Sequence, residues 1–235
     1  MLLLRTFGGL TLSRGEENLT GAVTQRRRLA ILALLAVAHD SGMSRDKLQA
    51  YLWPESEAGR ARHVLNQLLY AQRRQAGATG LFLGQKTLRL NPAVIGTDIA
   101  PLEAALGQGD LEGVVARYAG PFLDGFFLKD APEFERWVED QRARFRRCYQ
   151  ESLAALGRQA TARDQHATAA GWWRRALEDD PYSSSAALGL VEALAAAGDR
   201  SGAIREAMRH DQRIRAELGV GGDPRLADLL TRLSS

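Results

Sequence analysis

Residues 57–75, Glu-Ala-Gly-Arg-Ala-Arg-His-Val-Leu-Asn-Gln-Leu-Leu-Tyr-Ala-Gln-Arg-Arg-Gln, decide how the chain is read. Turned through about 100° per residue, the stretch divides into two faces. Ala61, Leu65, Leu68, Leu69 and Gln72 share one side of a helix. Arg60, His63, Gln67, Tyr70 and Arg74 share the other, with Arg62 and Asn66 flanking. The first face is built for packing. The second is a row of cations, donors and acceptors, the set that reads a DNA major groove, where arginine pairs with guanine and asparagine or glutamine with adenine. Taken alone, that face is explained better by the solvated side of any exposed helix, and its placement after a helix and turn and before a hairpin reverses the balance.

Upstream, the first 23 residues alternate around Leu2, Leu4, Phe7, Leu10 and Leu12, with Gly8-Gly9 and Arg14-Gly15 as turn signals, which predicts a small antiparallel sheet. Thr24 is placed to cap a helix from Gln25 to Ala38, with Leu29, Leu32, Leu35 and Val37 toward the core and Gly42 ending it. Ser44 caps a second helix, Arg45 to Trp53, which Pro54 stops. Downstream, Leu81-Phe82-Leu83 and Leu88-Arg89-Leu90 flank the turn Gly84-Gln85-Lys86 as a hairpin. Sheet, three helices and hairpin, in that order, describe a winged helix-turn-helix. In that setting Lys86 and Arg89 can reach phosphate or the minor groove. Arg26-Arg27-Arg28 reads as a phosphate clamp or, more simply, as a solvated first turn.

Beyond residue 97 the pattern becomes purely helical. A 34-residue period aligns Gly157 with Val191, Ala160 with Leu194, Ala169 with Ala203 and Trp173 with Ala207, the small and large positions of a tetratricopeptide (TPR) hairpin. Helices are expected from Asp98 to Leu106 and on to Tyr118 after Gly109-Asp110, then over 134–160, 165–178, 184–197 and 200–218. Trp172 and Trp173 invite a ligand-cage reading, but one of them sits at the repeat's aromatic packing position, which favours a core role. The fold class is thus mainly α with a small β component. A winged helix at 1–97 precedes an all-α, TPR-like domain at 98–235 whose concave face suits a protein partner.

Charge follows the same division. Residues 1–97 hold 13 Lys/Arg and 6 Asp/Glu, a balance of +7, whereas residues 98–235 hold 18 and 22, a balance of −4. A basic module beside a mildly acidic one is expected if only the first meets phosphates. The single cysteine, Cys148, excludes an internal disulfide and a Cys-rich zinc cluster, and it fits a reducing cytoplasm. The longest apolar run, Leu29 to Ala38, is half of what a membrane span needs. No P-loop, His-Glu-x-x-His, nucleophile elbow or paired-cysteine spacing is present, so neither catalysis nor a cofactor or metal is expected. Gly219-Val220-Gly221-Gly222-Asp223 follows a helix and reads as its terminus.

The strings Gln25-Arg26-Arg27-Arg28-Leu29-Ala30, Leu52-Trp53-Pro54-Glu55-Ser56 and Ala61-Arg62-His63-Val64-Leu65 resemble the winged-helix domain of SARP-type bacterial transcriptional regulators. Residues 118–126 (Tyr-Ala-Gly-Pro-Phe-Leu-Asp-Gly-Phe), 134–138 (Phe-Glu-Arg-Trp-Val), Asp180-Pro181 and 217–220 (Glu-Leu-Gly-Val) resemble the bacterial transcriptional activator domain (BTAD) that follows it in that family. The resemblance implies a sequence-specific regulator of double-stranded DNA. Its helical domain would contact another protein, in some members RNA polymerase, and a homodimer is compatible with it. Relatives often carry a bulky aliphatic residue where Gln72 stands, and many continue into a further region, which makes this chain a minimal form or a piece of a longer regulator. Two functions follow: a DNA-binding transcriptional regulator, or a protein-interaction scaffold that kept the winged-helix shape and lost DNA binding. Sensing of a small ligand by the helical part would be compatible with either. The cationic face with Lys86 and Arg89, which a scaffold has no need to keep, favours the regulator.

Overall fold

The computed structural model describes residues 1–21, 25–78 and 80–234; the expected Thr24 cap lies outside them. The chain divides into two compact units, Met1–Arg146 and Arg147–Ser235. The change of motif at residue 97 therefore falls inside the first unit.

The first unit opens with β1 (Leu2–Arg5), β2 (Thr11–Arg14) and β3 (Glu17–Asn18), paired antiparallel as expected. The sheet is not purely antiparallel, however. A later strand, residues 95–97, joins β1 in parallel to give a four-stranded mixed sheet. Ile95 and Gly96 in a three-residue stretch carry too little alternation to announce it. Phe7 lies beyond β1, buried in a bridge to Phe122.

Helix α1 (Arg26–Ala38) packs against elements on several sides and is buried from Arg28 to Ala36. The amphipathic expectation needs correcting here, because Ile31 and Leu34 are as buried as Leu29, Leu32 and Leu35, while Val37 is only half-buried. A helix apolar all round is a central helix. After it come a short 3-10 turn (His39–Ser41), β4 (Met43–Ser44), α2 (Arg45–Leu52) and α3 (Ala58–Gln75). Ser44 caps α2 as expected, accepting from the Lys47 amide at 3.2 Å.

The predicted hairpin forms from β5 (Phe82–Leu83) and β6 (Thr87–Leu90), and β4 adds to its far edge in the order β4-β6-β5. Gly84 must be glycine: it turns at φ +82°, and a Cβ would stand 2.0 Å from the Thr87 carbonyl oxygen. The parallel strand is β7 (Ile95–Thr97), followed by α4 (Ile99–Gln108) and α5 (Leu111–Arg117). Asp98, expected to begin α4, does so and also ties down β1's exit: its carboxylate accepts from the Thr6 amide at 2.6 Å, the Thr6 hydroxyl at 2.7 Å and the Phe7 amide at 3.0 Å. Helix α6 (Pro132–Thr161) gives its first half to this unit and its second half to the next. Phe7, Phe122 and Phe145 meet with ring centroids 5.0–6.2 Å apart, and Trp137 lies 5.7 Å from Phe122. These rings join Leu32 and Leu65 in one core.

In the second unit the rest of α6 is followed by α7 (His166–Asp179), α8 (Ser184–Ala196), α9 (Arg200–Leu218) and α10 (Pro224–Ser234). Neighbouring helices α7, α8 and α9 pack in sequence, as stacked hairpins do. Trp173 is 7% exposed and faces two glycines, Gly157 of α6 and Gly189 of α8. Trp172 is half-buried, with the Arg175 guanidinium 5.5 Å above its ring. The residues after Gly219, which ends α9 at φ +68°, contain α10, a helix not expected from the sequence. Its signal was there to read: Asp223-Pro224, then leucines at 226, 229, 230 and 233.

Candidate nucleic-acid interface

Helix α3 sets out its residues as the two-faced pattern requires. Ala61, Leu65, Leu69 and Gln72 are buried and Leu68 half-buried. Arg60, Arg62, His63, Asn66, Gln67, Tyr70 and Arg74 are all exposed, Tyr70 at 64%. Among the described residues no carboxylate forms an ion pair with Arg60, Arg62 or Arg74. Gln67 and His63, one turn apart, lie 2.8 Å from each other through the amide nitrogen and the ring Nε2. The buried face has one polar intruder. Gln72 is 2% exposed, and its amide finds no hydrogen-bond partner among the described residues.

Beyond the shared core and the β4–β6 pairing, a residue that the sequence reading passed over ties the hairpin to α3. Arg45, first in α2, donates its backbone N–H to the Lys86 carbonyl at 3.1 Å. Its side chain donates Nε–H to the Gln85 carbonyl at 2.5 Å and Nη1–H to Asn66 Oδ1 at 2.6 Å. One guanidinium thus joins the start of α2, the middle of α3 and the tip of the hairpin, fixing the spacing between the two. It also gives Asn66 a structural role, since one of its acceptor sites is already engaged. An arginine directly after a Ser cap, facing a polar position of the next helix, was the available signal. Lys86 and Arg89 on the hairpin are exposed and unpaired among the described residues.

Arg26 is exposed, Arg27 half-buried and Arg28 buried, and the first two have partners within the protein. Arg26 donates to the Phe127 carbonyl at 2.7 Å and stacks over Phe126 at 5.4 Å. Arg27 donates to the Lys129 carbonyl at 3.3 Å and lies over Trp53 at 5.7 Å, and Arg28 is buried. Guanidinium groups bind backbone carbonyls and ring faces at once, so Arg26 and Arg27 hold the loop at 126–129 against α1.

Among the described residues no helix is long and apolar enough to cross a membrane, and no His/Cys/Asp/Glu cluster could hold a metal ion. The family model of the bacterial transcriptional activator domain matches residues 100–233, more than half of the sequence. The chain belongs to the BTAD family. It has the SARP-type arrangement, a winged helix before the helical domain. No curated protein matches this BTAD-family chain. Among solved structures it is similar to Mycobacterium tuberculosis EmbR, determined in complex with a low affinity phosphopeptide, with a TM-score of 0.66 and 18% identity. The alignment covers 99% of this chain and 65% of EmbR's, and at that identity the likeness is one of fold. The family is one of transcription regulators, a non-enzymatic type.

Proposed function

We propose that this BTAD-family chain is a sequence-specific, DNA-binding transcriptional activator. It reads base edges in the major groove with α3 and touches the sugar-phosphate backbone with its hairpin. Arg60, Arg62, His63, Gln67, Tyr70 and Arg74 form the reading face, Asn66 completes it from its Arg45-held position, and Lys86 and Arg89 meet phosphate. The helical part serves a protein partner, for which the family resemblance suggests RNA polymerase. One observation carries the reading: a helix whose inner side is buried presents, on its outer side, guanidinium groups that no carboxylate among the described residues neutralises, together with amide groups. A scaffold that had lost DNA binding would not need cations held free in this way.

The test begins with the purified chain and fragments of a bacterial genome, from which a bound duplex is isolated and labelled. The logarithm of the affinity should fall linearly with log salt, by a slope of about 0.9 for each phosphate neutralised. Arg60→Ala or Gln67→Ala should cost about 1–3 kcal/mol on the selected duplex and much less on a random one, whereas Lys86→Ala should weaken both alike. A flat salt dependence, or three variants indistinguishable on both duplexes, overturns the assignment. Stimulated transcription from the selected site in a reconstituted assay tests the activator role.

A further inference from the structure

We infer that the second unit holds a binding pocket for a small organic oxyanion, a carboxylate or phosphate with a neighbouring hydroxyl or amine, between Arg174 and Arg213 and against His210. The inference is independent of DNA reading. The cavity measures about 320 Å³, within the size range of small-molecule sites. Its polar lining comes from one stripe of each of two helices. Arg174 and Glu178, four apart, face it from α7; Glu206, Arg209, His210 and Arg213, at spacings of three and four, face it from α9.

Three features point to a ligand. First, the cations are unequally engaged. Arg209 is paired with both oxygens of Glu206, at 2.8 and 3.0 Å, but among the described residues Arg174 and Arg213 pair with no carboxylate. Second, His210 is 3% exposed, and neither ring nitrogen completes a hydrogen bond of normal geometry, although the Pro181 backbone lies close enough to favour the protonated ring. A buried imidazole left this way is costly, and the cavity is the space from which it can be satisfied. Burial and the nearby Arg213 lower its pKa, so the ring is neutral near pH 7 and offers one N–H donor. Third, three arginines against two glutamates leave the lining with a net single positive charge. An oxyanion would take N–H groups from Arg174, Arg213 and His210, and Glu178, unpaired among the described residues, would accept from the ligand's hydroxyl or amine. The small volume suits a metabolite.

The experiment follows the four histidine rings of the full chain by NMR, since only His39, His63, His166 and His210 contribute. Glycerol 3-phosphate and glycerate, which offer the two oxyanions on one hydroxylated three-carbon frame, are titrated at ionic strength held constant with chloride. His210 is assigned with His210→Gln or, should that variant not fold, by elimination using His39→Gln, His63→Gln and His166→Gln. The expected result is a saturable shift of the His210 ring with at least one of the two probes, the stronger identifying the preferred oxyanion. Arg174→Gln with Arg213→Gln, at one exposed and one half-buried side chain, should weaken it about tenfold or more while leaving the other three rings in place. No saturable shift with either probe, or an equal shift in the double variant, overturns the inference.

Discussion

Trp173 makes one chemical change, glycine to alanine, carry opposite signs at neighbouring sites. A Cβ built on Gly157 would stand 2.5 Å from the Trp173 ring, and one built on Gly189 would meet the same ring at 2.5 Å from the other helix, while a Cβ on Gly171 would meet nothing within 4 Å. In an open helical position the exchange stabilises by about 1 kcal/mol, through the entropy that glycine loses on folding. Gly171→Ala should show that gain. At 157 and 189 the added methyl must displace a buried indole, an overpacking cost of about 1–3 kcal/mol. The intrinsic gain offsets part of it, so each variant should lose about 1 kcal/mol or more. Trp173→Ala, which empties the slot, should cost about 3–5 kcal/mol. Urea unfolding of the full chain, followed by far-UV circular dichroism with the slope compared between variants, measures all four. Trp173→Leu should convert Gly157→Ala from harmful to neutral or better, because the clash is specific to the ring. If Gly157→Ala stabilises as Gly171→Ala does, the indole is not seated between these helices and the repeat packing described above is wrong.

Gln72→Leu should stabilise the protein by about 1–2 kcal/mol, since it replaces an unpartnered buried amide with a side chain of similar volume; a loss on urea unfolding would mean that the amide is satisfied. Arg45→Met keeps the aliphatic stem but drops the bonds to Asn66 and Gln85, so it should cost about 1 kcal/mol of stability. It should also weaken binding to the selected duplex more than to a random one, as gel-shift titration on both would show. His210 has a folded pKa lowered first by burial, then by Arg213, with the Pro181 backbone, Asp211 and Asp180 opposing. Its contribution should therefore be complete above the unfolded value of about 6.5 and fall away as the pH drops below it. His210→Gln should show a flatter stability profile than the parent between pH 7 and 5, and parallel profiles would refute this.

What could be read from the residues was whatever repeats with a period. Helix α3, the capped α2, the β5–β6 hairpin and the helices of the second unit all follow from 3.6- or 2-residue spacing with turn residues between them. What could not be read depends on distant partners. The arginines at 26–28 look alike in sequence, and only the carbonyls of Phe127 and Lys129, a hundred residues away, make Arg26 and Arg27 tethers. Strand β7 exists because β1 offers it an edge. Arg45 becomes a bridge only once Asn66 and Gln85 are brought to it. The pocket around His210 likewise draws on α7 and α9, each of which reads separately as an ordinary amphipathic helix.

The match to the activator-domain family begins at residue 100, yet the core of the first unit continues to Phe145. Ile99, Leu102, Phe122, Phe134, Trp137 and Phe145 are buried in the same cluster as Leu32, Leu48 and Leu65. Sequence similarity therefore changes where the motif changes, and packing changes about 50 residues later, inside α6. Helix α3 rests on α1, α1 rests partly on α4, and Asp98 holds the exit of β1. Residues that similarity assigns to the activator domain are thus structural parts of the unit that carries the basic face. A substitution among them that loosens this core would disturb α3 without touching any group proposed to meet DNA. If the proposed DNA reading holds, defects in it caused by changes between residues 98 and 146 are expected to trace to stability first, and only changes on the outer side of α3 or at the hairpin should separate affinity from folding.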